Sequence, residues 1–352
     1  MYPPPRPSPR RLLPPTQTPV RAAQQQHARP QVPGSDPREK PRRHLRTDRA
    51  AYEILRPYDP RALDGRELAT NSGVNLLNDP STKQLFVEKR LRCDTKDNTR
   101  KARNEIRALI QIREHGAPRN IIVLTEHFYH KTEPIVSLVM EHCDASTLEE
   151  RICTIIRAGR SAMFDEEFIW HTFAGLSKAL LFLHTGQDAD VPYKPEPENW
   201  NTIAHLDIKP GNIFYSARGQ ITKYPRMVLG DFGGAVDWHS ISTGAAKRED
   251  QEQGTPGWFA PENRQADGTI KGRYGMPTDI WQMGAVAHVM ARKIAIPDLE
   301  LVAQGRAIGS AFSAALQTAA AACLAFEPAE RPVATEIALL LRRTFEGVGW
   351  RW

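Results

Sequence analysis

Cysteine is scarce in this chain: four in 352 residues, Cys93, Cys143, Cys153 and Cys323, with no CxxC spacing. That pattern excludes a local thiolate metal site and a disulfide framework, and it fits a reduced, intracellular setting, cytoplasmic or nuclear. A charged leader followed by an apolar run is also missing, so no secretion signal is expected. Long hydrophobic runs are absent. The most apolar late stretch, Ala311 to Phe326, is alanine-rich and broken by Ser313 and Gln317, too short and weak to span a bilayer. It reads as a core helix, and no membrane partner is expected. A basic surface is missing from the main part of the chain. The net charge is +6, but residues 1–50 hold eleven Lys and Arg against three Asp and Glu, a surplus of eight that leaves the remainder at −2. The pI near 9.2 therefore gives no argument for nucleic-acid binding.

Residues 1–50 contain twelve prolines and almost no large apolar side chains, a composition that cannot offset its ordering entropy by burial. A disordered, basic, proline-rich tail is expected. Pro3-Pro4-Pro5-Arg6-Pro7-Ser8-Pro9 has the chemistry of a polyproline II ligand for an SH3- or WW-type partner, although a solvated linker without a partner has the same composition. Ser8-Pro9 and Thr18-Pro19 are candidate sites for proline-directed kinases. Hydrophobic residues at 40% and charged residues at 25% make the rest an ordinary globular composition.

The chemistry concentrates in His205-Leu206-Asp207-Ile208-Lys209-Pro210-Gly211-Asn212, followed after an expected hairpin by Asp231-Phe232-Gly233. Two carboxylates, a lysine and an amide on short loops supply what phosphoryl transfer needs: a group to orient a hydroxyl, a cation for the moving phosphoryl and oxygen ligands for magnesium. This order resembles the catalytic and metal-binding loops of eukaryotic protein kinases, with Leu206 in place of the usual arginine. The resemblance covers about residues 65–345. It implies an α+β, bilobal fold over residues 51–352: a small β-rich N-lobe with one main helix (about 51–141) and a larger, mostly helical C-lobe (about 142–352). ATP and Mg2+ as cofactors and a protein substrate are implied with it. Asp207 and Lys209 would be catalytic, Asn212 and Asp231 would hold metal, and His205 and Phe232 would be structural supports.

Further matches lie on either side. Val74 to Leu77 and Leu85 to Arg90 read as strands joined by a turn at Asn78-Asp79-Pro80-Ser81. Lys89 falls on the strand lysine that contacts the α- and β-phosphates. Residues 98–113 read as a helix with Ala102, Ile106, Leu109 and Ile110 on one stripe, and Glu105 shares its inner side. Glu105 is the expected partner of Lys89; an exposed carboxylate among Arg100, Arg103 and Arg107 is the alternative. Ile135 to Glu141 reads as a strand leading into Met140-Glu141-His142-Cys143, which resembles the adenine-receiving hinge, with Met140, Glu141 and Cys143 as ATP-site residues. Asp165 is a candidate N-cap for a helix carrying Phe168, Phe173, Leu176, Leu180 and Leu183. The polar, proline-rich stretch 185–204 is longer than the family usually has and reads as a surface loop. Gly254-Thr255-Pro256-Gly257 and Ala260-Pro261-Glu262 match the end of an activation segment, Arg331 sits where the partner of Glu262 belongs, and Asp279 resembles the residue that supports the catalytic-loop backbone.

One part is missing. The glycine-rich loop aligns with Glu67 to Val74, placing Glu67, Ala69 and Ser72 where glycines would be and leaving only Gly73 nearby; Ser72, Gly73 and Val74 are the remaining ATP-site candidates. Lys209 and Thr255 resemble the serine/threonine branch. A serine/threonine protein kinase is therefore expected. A pseudokinase scaffold and a small-molecule phosphotransferase are the alternatives, the first favoured by the missing glycines and the second disfavoured by the Thr255 and Ala260-Pro261-Glu262 segment.

Overall fold

Five strands form an antiparallel sheet in the order β1-β2-β3-β5-β4, with burial alternating along Leu124–Tyr129 and continuous over the central residues of Ile135–Glu141. Its strands are β1 (Glu53–Pro57), β2 (Asn71–Asn78), β3 (Leu85–Arg92), β4 (Leu124–Tyr129) and β5 (Ile135–Glu141). The computed structural model describes residues 52–57, 71–159, 161–191, 197, 199–243, 254–263 and 275–347. All of these lie in one compact unit, Leu45–Trp352. Tyr52, Leu77, Phe86, Phe128 and Val139 form a small cluster on one face of the sheet. Leu91, Leu124, Val136, Leu138 and Met140 join the main core on the other. β2 begins at Asn71, so Ser72 and Gly73 lie within a strand and not at a loop tip, Gly73 pairing with Arg90 of β3 and Ser72 falling at the bulge between Asn71 and Gly73. Glu67 and Ala69 lie outside the described residues.

Helix α1 (Lys96–Glu114) packs across the main-core face. It starts two residues before the predicted 98–113 because Thr95 caps it, its Oγ1 accepting from Asn98 N at 3.0 Å. Its buried residues Ala102, Glu105, Ile106, Leu109 and Ile112 follow the helical period. The lobe below is mainly helical. Helix α2 (Leu148–Arg157) carries a capping box between Thr147 and Glu150, and α3 (Glu166–Thr185) is capped by Asp165. α3 ends at Gly186 with φ 74°, and a Cβ there would meet the Trp200 ring at 2.8 Å. Glycine is thus required both by conformation and by space.

Short strands β6 (Ile203–Ala204) and β9 (Val236–Asp237) pair, and β7 (Ile213–Ser216) and β8 (Arg226–Leu229) make the expected hairpin. A one-turn helix, α4 (Trp238–Ser242), follows β9. Helix α5 (Met276–Arg292) is buried from Thr278 to Ala291 and packs on α3. α6 (Leu299–Ala303), α7 (Ala314–Cys323) and α8 (Ala334–Gly347) complete the lobe. α7 is shorter than the apolar stretch 311–326 suggested, because Ser313 caps its start and Leu324 ends it. The stretch 185–204 is not simply a surface loop: Trp200 packs against the main core, with its ring centroid 4.9 Å from that of Phe182. Among the described residues, no helix is long and apolar enough to cross a membrane.

Candidate active site

The pleat of β3 places Lys89 opposite Val74 and Leu138, on the face covered by α1. Lys89 Nζ donates to Glu105 Oε1 and to Asp231 Oδ1, each at 2.7 Å. Glu105 is only 2% exposed, so the alternative of a solvated carboxylate on an arginine-rich face does not hold. Burial alone would lower the Lys89 pKa, but the charges of Asp231 and Glu105 overcome it and hold the ammonium above its ordinary range. Burial would raise the Asp231 carboxyl, and Lys89 first, then Lys209, pull it well below the usual carboxylate range. For Glu105 burial dominates and raises the pKa, with Lys89 opposing.

The loop carrying Asp231 bends sharply. Asp231 adopts φ 62° and its Oδ1 accepts from Gly233 N at 3.3 Å. A Cβ on Gly233 would lie 3.2 Å from Asp231 Oδ1 and 3.4 Å from Glu105 Oε2, so the missing side chain lets this turn close over the ion triad.

The second half of the site lies between β6 and β7. Lys209 Nζ donates to Asp207 Oδ2 at 2.7 Å, and Thr255 Oγ1 donates to Asp207 Oδ1 at 2.8 Å. Lys209 also reaches Thr255 Oγ1. Asn212 Nδ2 donates to Asp207 O at 2.8 Å and to its Oδ2 at 3.0 Å. Asn212 is fully buried, yet its Oδ1 has no hydrogen-bond partner. A buried amide oxygen left open is costly unless something binds it. Together with the Asp231 carboxylate it is a hard-oxygen donor set that fits magnesium, which takes one or two protein ligands and completes its shell with water and phosphate. Among the described residues no three His, Cys, Asp or Glu side chains cluster as a metal cage.

A buried scaffold holds this loop. Asp279, with no solvent exposure, accepts from His205 N at 2.9 Å and Leu206 N at 2.8 Å, and its Oδ2 lies 3.0 Å from His184 Nε2. Those bonds maintain Leu206 at φ 64°, a conformation unusual for leucine. His205 Nε2 bonds to Gly230 O at 3.1 Å, and its ring meets Phe232 edge-on with centroids 4.8 Å apart. Gln282, one turn after Asp279, accepts from Ile208 N at 2.9 Å and donates to Leu206 O at 3.1 Å and Trp258 O at 3.3 Å. Neither Gln282 nor His184 was singled out from sequence; the i, i+3 spacing from Asp279 was the signal for Gln282. Arg331 clasps Glu262 through both guanidinium nitrogens.

The remaining candidates are placed as follows. Met140 is buried between Val87 of β3 and Leu124 of β4. The Glu141 side chain turns to Arg226, at 2.5 Å, and accepts from Val123 N, while its backbone N donates to Val123 O at 3.1 Å, so neither group remains for a ligand. Cys143 is buried, which pushes its thiol up to about 12. Gly73 has φ 126° at a bulge between β2 and β3, and Val74 faces Lys89 across the ladder.

The family described as "Protein kinase domain" matches residues 70–338. The chain is 26% identical over 272 residues to the G2-specific protein kinase nimA of Emericella nidulans, covering 70% of this chain and 36% of that protein. It is 29% identical over 188 residues to the probable serine/threonine-protein kinase nek2 of Dictyostelium discoideum, covering 53% and 37%. With the serine/threonine-protein kinase Nek5 of Mus musculus it shares 27% over 269 residues, covering 71% and 37%. The chain thus spans little more than a third of the length of these relatives. With the family matched over most of its length, on a fold that brings Lys89, Glu105 and Asp231 together, the chain belongs to the protein kinase domain family.

Proposed function

We propose that this chain is a serine/threonine protein kinase that transfers the γ-phosphoryl group of ATP to a hydroxyl of a protein substrate. The observation that carries the reading is Lys89 Nζ held at 2.7 Å by both Glu105 and Asp231, which unites strand, helix and loop. Lys89, fixed in this way, neutralises oxygens of the α- and β-phosphates. Asp207 orients the acceptor hydroxyl and takes its proton, while Lys209 offsets charge on the γ-phosphoryl. Asn212 and Asp231 would hold magnesium, whose bound charge neutralises phosphate oxygens. Thr255, bonded to Asp207 and Lys209, supports a serine or threonine acceptor by fixing both groups beside the segment that receives the substrate.

The same reading extends to the parts outside the described residues. Residues 1–50 carry a basic, proline-rich sequence that suits an SH3- or WW-type partner, residues 51–352 form the kinase domain, and the protein works inside the cell without nucleic-acid or membrane partners. The experiment is magnesium-dependent transfer of label from radiolabelled ATP to a generic basic protein, with Asp231→Ala as control. Transfer lost in that variant supports the reading. Absence of both ATP binding and transfer in folded wild-type protein overturns it in favour of a scaffold.

A further inference from the structure

The stretch between α3 and β6 ends in three residues that touch three separate elements. Gln111 of α1 donates from Nε2 to Asn201 O at 2.7 Å. Asn201 Nδ2 donates to Asp237 Oδ1 at 2.8 Å, and Asn201 Oδ1 accepts from His239 N at 3.0 Å. Trp238 N donates to Thr202 O at 2.7 Å, and Thr202 Oγ1 to His184 O at 2.8 Å. The Trp200 ring meets His115 of α1 edge-on, centroids 5.1 Å apart, and its Nε1 donates to Leu183 O at 3.1 Å. Residues 200–202 are therefore clamped between α1, the end of α3 and the start of the segment that follows Gly233.

Asp237 is the node of this contact. It caps α4, accepting from Ser240 N at 2.9 Å and Ser240 Oγ at 2.7 Å, and its side chain is 17% exposed. An amide donating to a shielded carboxylate is a charge-assisted bond and one of the stronger single contacts available. α1 is also the element that carries Glu105 to Lys89. A helix packed on a sheet face and tied to its surroundings by individual polar contacts has more than one available position, and whatever binds only one of them sets the population.

We infer that Asn201 is a positioning residue, tying α1 through Gln111 to the segment after Gly233 through Asp237 and thereby holding Glu105 on Lys89. This deepens the phosphotransferase reading and rests on it. It also gives the 185–204 stretch a task. Leu206 has no charge with which to hook a phosphorylated segment, and the Asn201 amide supplies a hook that needs no modification.

The test compares Asn201→Asp, which removes the donor and sets a second carboxylate against Asp237, with the double variant Asn201→Asp/Asp237→Asn, which reverses donor and acceptor. Hydrogen exchange over residues 96–114, kcat, KM for ATP and the thermal midpoint are read for each. In the single variant α1 exchange is expected to rise about tenfold and kcat/KM for ATP to fall about tenfold, the scale of one charge-assisted bond, with the midpoint nearly unchanged. The double variant is expected to regain both. Wild-type exchange and kinetics in the single variant, or no recovery in the double, overturn the inference. If Asn201→Asp does not fold, Gln111→Leu removes the bond from the α1 side and is read the same way. Because exchange is measured without ATP, a wild-type protein inert in transfer would sink the enzymatic reading while the exchange still decides the brace.

Discussion

Arg331 and Glu262 form a two-pronged ion pair, NH1 to Oε1 at 2.8 Å and NH2 to Oε2 at 2.7 Å, with the arginine side chain fully buried and the carboxylate 18% exposed. The guanidinium also donates to Ala325 O, Pro277 O and Phe326 O, so one side chain ties α5, the turn after α7 and the 261–263 turn. Removing it strands a mostly buried carboxylate and three carbonyls. Arg331→Ala is expected to cost about 3–5 kcal/mol and lower the thermal midpoint by about 10 °C. An unchanged midpoint would show that the pair only tunes catalysis.

Leu206 is 1% exposed and packs with Ala204, Val236 and Phe259. Leu206→Gly relieves the positive φ, worth about 1–2 kcal/mol, but forfeits the burial, worth about 2–5 kcal/mol, so the net is destabilising. Leu206→Arg places a charge in the same apolar site and is expected to destabilise more. Because leucine cannot pair with phosphate, phosphatase-treated protein is expected to keep its transfer activity. A preparation inert until Ser240, Ser242 or Thr243 is phosphorylated contradicts this.

His205 and His288, both without solvent exposure, are built into the structure as neutral rings. His205 Nδ1 accepts from Asp207 N at 3.3 Å, and His288 Nε2 accepts from Asp298 N at 3.0 Å. Burial lowers both pKa values, so below about pH 6.5 the unfolded chain binds protons that the folded chain does not. Stability is then full above that pH and falls as pH drops through the window, by up to about 1.4 kcal/mol per pH unit for each ring. His127, His142 and His171 are lowered as well, and add in the same direction. Glu105, raised by burial, opposes them as a single group. Urea unfolding at pH 7.5 and 5.5 is expected to show a clear loss at the lower value, and equal stabilities would refute it.

Much of the fold and of the cleft was legible because it is local. Short strand-like runs of apolar residues set β3 and β5, and the 3.6-residue period of Ala102, Ile106 and Leu109 put Glu105 inward, where it lies. Turn chemistry at Asn78-Asp79-Pro80-Ser81 announced the β2–β3 hairpin, and Asp165 announced the cap of α3. What could not be read depends on distant partners. Asn201 meets Gln111 across 90 residues and Asp237 across 36, and no pattern in a proline-rich stretch marks such a contact. Gln282 looked like one polar residue on a buried helix until its bonds to Leu206 and Ile208 gave it a reason. Glu141 resembled a hinge residue that acts through its backbone, and only the approach of Arg226 from β8 shows where its side chain goes.

Gly233 separates space from strain. Its φ is not in the left-handed region, so an added methyl group is opposed by its neighbours and not by backbone conformation. Those neighbours are Asp231 Oδ1 at 3.2 Å, Glu105 Oε2 at 3.4 Å and Lys89 Nζ at 3.6 Å, all members of the ion triad. They can yield only by lengthening the bonds that place Lys89. Gly233→Ala is therefore expected to act on the site more than on the fold: a fall of about tenfold or more in kcat/KM for ATP, with the thermal midpoint moved by no more than about 3 °C. A displacement of about 1 Å in a positioning group suffices for such a loss, whereas the lower core, built on Trp281 and Phe173, lies outside the triad. Wild-type kinetics in this variant would mean that the triad tolerates the methyl group, and the distances that define it would then not be those used in turnover.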